Sequence, residues 1–292
     1  MSDYSRGLKI GVLIIAFWGA HVLLGLAGRY LYGNYRELWT DMATRVAAGG
    51  GILSSVGLTT LTTGVLVALV RPWRWVMVAI VGGSILLIVA SGVGNQYAWL
   101  IGVIYGVMVS AYATAVVAGL NERLNFTLRP FRDEHPLLRR SLALVLCASF
   151  VGAYWQTVQH GEPVVPPALP SLLWETMQPA MQAALEQQKM LTPLQRQLAG
   201  EQFPQIYAHF WDNVAAQLQP QARLVAVGLG AGLIWLMTTA LSLVDWIALV
   251  ILEALFYLLK AVGFACEVVE PRMVRRLVLG GRATASRPGE RE

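Results

Sequence analysis

From Leu224 to Cys266 the chain is almost unbrokenly apolar, and only Asp245, Glu253 and Lys260 carry charge. A bilayer core requires about 20 apolar residues per helix, so the stretch is long enough for two membrane segments. The sequence places a break between them near Ser242–Asp245. At about 100° per residue, Asp245, Glu253, Lys260 and Glu267 fall within roughly an 80° arc of one helix. Charge in hydrocarbon is costly and normally faces protein, water or headgroups. These four residues are therefore a candidate polar seam, and the chief functional clue in the chain.

The rest of the chain agrees with a membrane reading. Of 292 residues, 56% are hydrophobic and 13% charged, against about 25% charged in an average soluble chain. The mean hydropathy is +0.54. The expected class is all-α, a polytopic helical membrane bundle with about six transmembrane helices. An amphipathic C-terminal helix and a small helical extracytoplasmic insert complete it. The net charge of +5 sits mostly in arginine-rich loops, which marks topology rather than a nucleic-acid patch. Cys147 and Cys266 lie in or beside apolar segments and form no Cys-x-x-Cys or metal-ligand spacing, so no disulfide framework is expected.

In order, residues 1–158 read as five spans. The first is Ile10–Ala27, longer than a usual signal-peptide core and so expected to stay uncleaved. Gly28–Arg45 reads as a polar loop whose Tyr30, Tyr32, Tyr35 and Trp39 suit the headgroup layer. Val46–Val70, Trp75–Ser91, Tyr97–Gly119 and Ser141–Gln156 follow, with Leu120–Arg140 read as an arginine-rich loop. Residues 159–223 form the insert. Its proline-rich opening leads to a helix from about Ser171 to Gln188, a second opening at Thr192-Pro193, and a third after a break at Pro204. Residues 224–279 hold the sixth span and the striped segment, read as an in-plane or re-entrant helix. Residues 280–292 read as a disordered tail.

Basic residues favour short cytoplasmic loops. Arg6, Lys9, Arg71, Arg74, Arg123, Arg129, Arg132, Arg139 and Arg140 fall on one side, against Arg29, Arg36 and Arg45 on the other. The N-terminus is therefore expected in the cytoplasm and the insert outside. The arginines after Glu267 also favour the cytoplasm, which is why six spans are preferred to seven.

Gly102, Gly106, Ser110, Thr114 and Ala118 are small residues spaced by four, and Gly228 and Gly232 repeat the spacing. Such ridges let helices approach closely. They fit packing within the chain first, and contact with another subunit second. Thr59, Thr60, Thr62 and Thr63 either line a polar path or bond their own helix carbonyls. His21 reads as a packing histidine; His135, His160 and His209 read as loop residues without metal spacing. No nucleophile elbow, His-Glu-x-x-His or phosphate-binding glycine loop is present, so no catalytic, cofactor or metal residues are assigned. The expected partners are the lipid bilayer and other membrane subunits or further copies of the chain, with no nucleic acid. The expected role is a non-catalytic subunit or scaffold of a membrane complex, in the cell (inner) membrane. The alternative is a transporter or channel lined by the threonines and by Glu253 and Lys260.

The arginine distribution sets a direct test. A reporter fused within Leu124–Arg139 is expected to read cytoplasmic, one near Gln188 external, and one after Gly281 cytoplasmic. An external reading after Gly281 would make the striped segment a seventh span.

Overall fold

The computed structural model describes residues 3–70, 73–92, 96–122, 127–187 and 193–265, and among them every regular element is helical. The helices are α1 (Asp3–Gly33), α2 (Glu37–Thr40), α3 (Met42–Leu69), α4 (Trp73–Ser91) and α5 (Gln96–Glu122). They continue as α6 (Arg129–Gln159), α7 (Ala168–Gln187), α8 (Pro193–Leu218) and, after a 3₁₀ turn, α9 (Ala222–Ala261). Among the described residues, six helical stretches are long and apolar enough to cross a membrane.

α1 packs against α3, α4 and α6; α5 lies between α4 and α6; α9 closes the bundle against α6 and α3. The chain alternates direction through these six helices, so their ends gather at two faces. At one face Lys9 Nζ donates to the carbonyls of Gly263 (3.2 Å) and Phe264 (2.9 Å), and sits over the Phe264 ring. A cation there meets carbonyls that the end of a helix leaves unsatisfied. Gly263 takes φ +71°, a left-handed conformation that glycine adopts without strain. At the other face α2, α7 and α8 are attached.

Local chemistry sets several boundaries. α3 starts at Asp41, whose carboxylate accepts from Ala43 N–H (3.1 Å), Thr44 N–H (2.9 Å) and the Thr44 hydroxyl (2.6 Å). Those bonds, the Thr44 hydroxyl first, hold the Asp41 carboxyl below the usual carboxylate range. Pro130 stands in the first turn of α6, where its fixed φ favours helix and its missing N–H costs nothing.

Where helices cross, small residues let backbones meet. A Cβ on Gly25 would lie 2.6 Å from the Leu87 carbonyl, one on Gly83 2.6 Å from Phe17, and one on Gly64 2.9 Å from Leu252. Gly102 backs onto Ile88, and a Cβ on Gly106 would lie 2.9 Å from Ser84 Oγ. The ridge then turns outward: Ser110 is half-buried, Thr114 and Ala118 exposed. A spacing of four drifts about 40° per step from the 3.6-residue turn, so five such residues wind off one face. Gly228 and Gly232 have nothing within 4 Å of the Cβ position.

Several boundaries differ from the sequence reading. α9 is one uninterrupted helix of 40 residues with no break near Ser242–Asp245. No proline or glycine lies between Ile234 and Ala261, and the Ser242 hydroxyl returns to the Thr239 carbonyl at 2.6 Å. The sixth span and the striped segment are thus one rod, with no half-hairpin as far as Ala265. At ~1.5 Å per residue it is about 60 Å long, twice a bilayer core of about 30 Å. Pro204 lies inside α8 without ending it. One turn later the Tyr207 hydroxyl donates to the Pro170 carbonyl at 2.9 Å and ties α8 to α7. α6 begins at Arg129, so most of the supposed loop 120–140 is helix. The loop expected over 28–45 is largely the end of α1, α2 and the start of α3.

Gly102→Leu should overpack the α4–α5 contact and lower stability by about 1–3 kcal/mol, read as an earlier thermal melt in detergent. Gly228→Leu should leave the same melt unchanged. Equal effects at both positions would contradict this packing.

Candidate functional site

The longest apolar helix carries a carboxylate, and the fold brings a cation to it. Arg139 Nη1 on α6 donates to Asp245 Oδ2 on α9 at 3.0 Å. His135 Nδ1, one turn earlier on α6, stands 3.4 Å from Asp245 Oδ1. The i, i+4 spacing puts His135 and Arg139 on one face. Asp245 has 14% of its side chain exposed and Arg139 23%. The pair sits well inside the bundle: Asp245 is about 24 Å along α9 from Ala261, and Arg139 about 15 Å along α6 from Arg129. Tyr112 on α5 is fully buried in the bundle interior. Removing one partner of a buried pair leaves an uncompensated charge, which is why such pairs lock helices together.

The pair neutralises itself, but the cluster keeps spare donors. Among the described residues neither ring nitrogen of His135, 3% exposed, has a hydrogen-bond partner, and Arg139 Nε has none. Among the described residues no three of His, Cys, Asp and Glu assemble to hold a metal ion.

A second buried polar pair crosses the bundle. His21 on α1 contacts the Phe17 carbonyl through Nδ1 (2.8 Å) and the Tyr105 hydroxyl through Nε2 (2.7 Å). A carbonyl only accepts, so Nδ1 carries the proton and Nε2 accepts from Tyr105. Gly83 leaves room for the ring.

The striped seam divides. Asp245 turns inward to α6, while Glu253 and Lys260 are exposed on α9. Glu267 lies outside the described residues. The threonines spend their hydroxyls on carbonyls: Thr59 on Ala20 (3.4 Å), Thr62 on Leu58 (2.8 Å) and Thr63 on Thr59 (2.6 Å). His135 is not a loop residue, and Arg139 is not a loop charge. The signal that finds His135 is the stripe Phe131, His135, Leu138 and Leu142, all buried, which has helical spacing and one polar member; Arg139 follows one turn after His135.

The opposite face of the bundle carries an aromatic cluster. Tyr35 meets Trp39, Phe150 and Tyr154 at ring distances of 6.1, 5.0 and 6.3 Å. Burial pushes the Tyr35 hydroxyl up to about 12. The Tyr154 hydroxyl donates to the Val164 carbonyl (3.0 Å), and Val164 N–H donates to Gln219 Oε1 (3.0 Å). Arg36 pairs with Glu162, and the Tyr32 hydroxyl bonds Gln156. Beside them is a cavity of about 390 Å³.

No family model, curated protein or solved structure matches the chain.

Arg139→Met and Asp245→Asn should each cost about 3–5 kcal/mol by stranding a buried charge, and the double variant should recover part of that loss. Thermal melts of all three check it. Additive losses in the double variant would show that the two side chains do not act as a pair.

Proposed function

We propose that this chain is a multi-pass protein of the cell (inner) membrane, serving as a non-catalytic subunit or scaffold that docks a partner outside the cytoplasm. The carrying observation is the apolar face of the α7–α8 hairpin. On α7 Leu173 and Met177 are exposed; on α8 Phe203, Ile206 and Phe210 are exposed, Ile206 at 61%. Trp174 and Tyr207 hold the hairpin together, their rings 5.1 Å apart, and Trp211 packs on Tyr207 at 6.1 Å. Leu173, Ile206 and Phe210 each precede one of these residues by one position. That offset is about 100° of helix rotation. In an antiparallel pair the same offset falls on the same flank, so the five side chains form one face. Contiguous exposed apolar surface of this kind marks interaction sites.

Two observations support this topology. Lys9 bonded at the end of α9 places the first and last helix ends together, as an even number of crossings requires. Arg74, Arg129 and Lys260 lie toward that end, the pattern of a cytoplasmic face. The hairpin, at the opposite end, is then external. The second reading is a transporter, favoured by the unpartnered ring nitrogens of His135 beside Asp245 in the bundle interior.

The test is assembly. Wild-type protein extracted from its own membrane should migrate on native gels as part of a discrete complex. Ile206→Glu with Phe210→Glu should release a lone chain whose bundle melts as before. A wild-type chain that runs alone, with the double variant indistinguishable, would refute docking through the hairpin.

A further inference from the structure

The cavity at the hairpin end lies among α1, α2, α6 and the turn after α6. Its wall leaves two strong acceptors open. His160 Nδ1 faces the Gln156 carbonyl at 2.7 Å. A carbonyl only accepts, so that nitrogen carries the proton and Nε2 of the neutral ring is a free acceptor. The Glu37 carboxylate lines the cavity and has no ion pair or side-chain hydrogen bond among the described residues. Among the described residues of the wall the one Lys or Arg, Arg36, is spent on Glu162. The Gln156 side-chain oxygen already takes the Tyr32 hydroxyl. Tyr32 and Tyr35 add aromatic rings, whose faces are electron-rich. Tyr35 is rigid, held edge-on by Trp39, Phe150 and Tyr154.

A carboxylate, a ring nitrogen lone pair and two tyrosine rings are the complement of a cation with several N–H donors. We infer that this cavity binds a primary ammonium group. Its volume lies in the range of small-molecule sites, about 300–1,000 Å³. Two sources carry that chemistry: a free primary amine, and the headgroup of phosphatidylethanolamine. The lipid source rests on the membrane-spanning reading, because it needs the ends of α1 and α6 to sit in the headgroup layer among tyrosine and tryptophan. The free-amine source does not, so the two can fail separately.

The experiment uses the full chain. In detergent, ethanolamine is titrated against thermal melting. In nanodiscs of phosphatidylcholine doped with phosphatidylethanolamine or phosphatidylglycerol, retained lipid is read by native mass spectrometry. Stabilisation by ethanolamine or selective retention of phosphatidylethanolamine is expected, and whichever occurs names the source. Glu37→Gln should weaken binding about tenfold, since hydrogen bonds to charged groups contribute about 1.5–3 kcal/mol. Its melt without ligand should match wild type, because the exposed carboxylate holds nothing else. His160→Leu should weaken the same signal independently, and Glu175→Gln on the hairpin should not. The inference is overturned if neither probe binds, if Glu37→Gln binds as tightly as wild type, or if phosphatidylglycerol is retained in preference.

Discussion

The bundle depends on one electrostatic fact: Asp245 is buried in its longest apolar helix and is neutralised by Arg139 from α6. A lone carboxylate at that depth would drag α9 toward water. Paired at 3.0 Å, it lets α9 run straight through the position where the sequence suggests a turn. The pair also fixes register, since α6 and α9 can slide past each other only by separating the charges. Phe131 against Phe256, at a ring distance of 6.0 Å, and Gly230 against Val151 hold the same two helices on either side.

The remaining contacts follow from close approach. Between helices in a lipid environment, association comes from packing and hydrogen bonds rather than from burial of oily surface. The bundle has both at its α1–α4 crossing. Gly82 makes room for Trp18, whose indole N–H donates to the Ala79 carbonyl at 3.0 Å. The next residue, Gly83, makes room for Phe17 and His21, and His21 reaches across to Tyr105. Three helices are thereby tied at a single level by small residues and three hydrogen-bonding side chains.

How much of this was legible in the sequence varies by element. The apolar runs gave the number of long helices, because length and hydropathy are properties of the segment alone. Their ends are hidden wherever polar residues stay helical. Residues 129–140 contain four arginines and look like a loop, yet Phe131, Leu138 and Leu142 follow helical spacing and Pro130 opens the helix. The Arg139–Asp245 pair was not legible: 106 residues separate its members, and no local pattern links them. The seam around Asp245 could be drawn, but not the fact that its first member faces inward while Glu253 and Lys260 face out. The wall around Glu37 and His160 was equally hidden, because it is assembled from two distant helix ends.

The hairpin is not a loose appendage to this bundle. Its two roots are Val164, before α7, and Gln219, after α8, and they are bonded to each other at 3.0 Å. Val164 is bonded in turn to Tyr154 of α6, and Glu162 is paired with Arg36 beside α2. The aromatic cluster of Tyr35, Trp39, Phe150 and Tyr154 fills the space beneath. Under the docking proposal such a base matters, because ordering a mobile element on binding costs affinity. α9 extends the same logic. It leaves the hairpin root at Ala222, passes the Asp245 pair, and ends on Lys9. One rod therefore links the apolar face on the hairpin, the buried charge pair and the opposite end of the bundle.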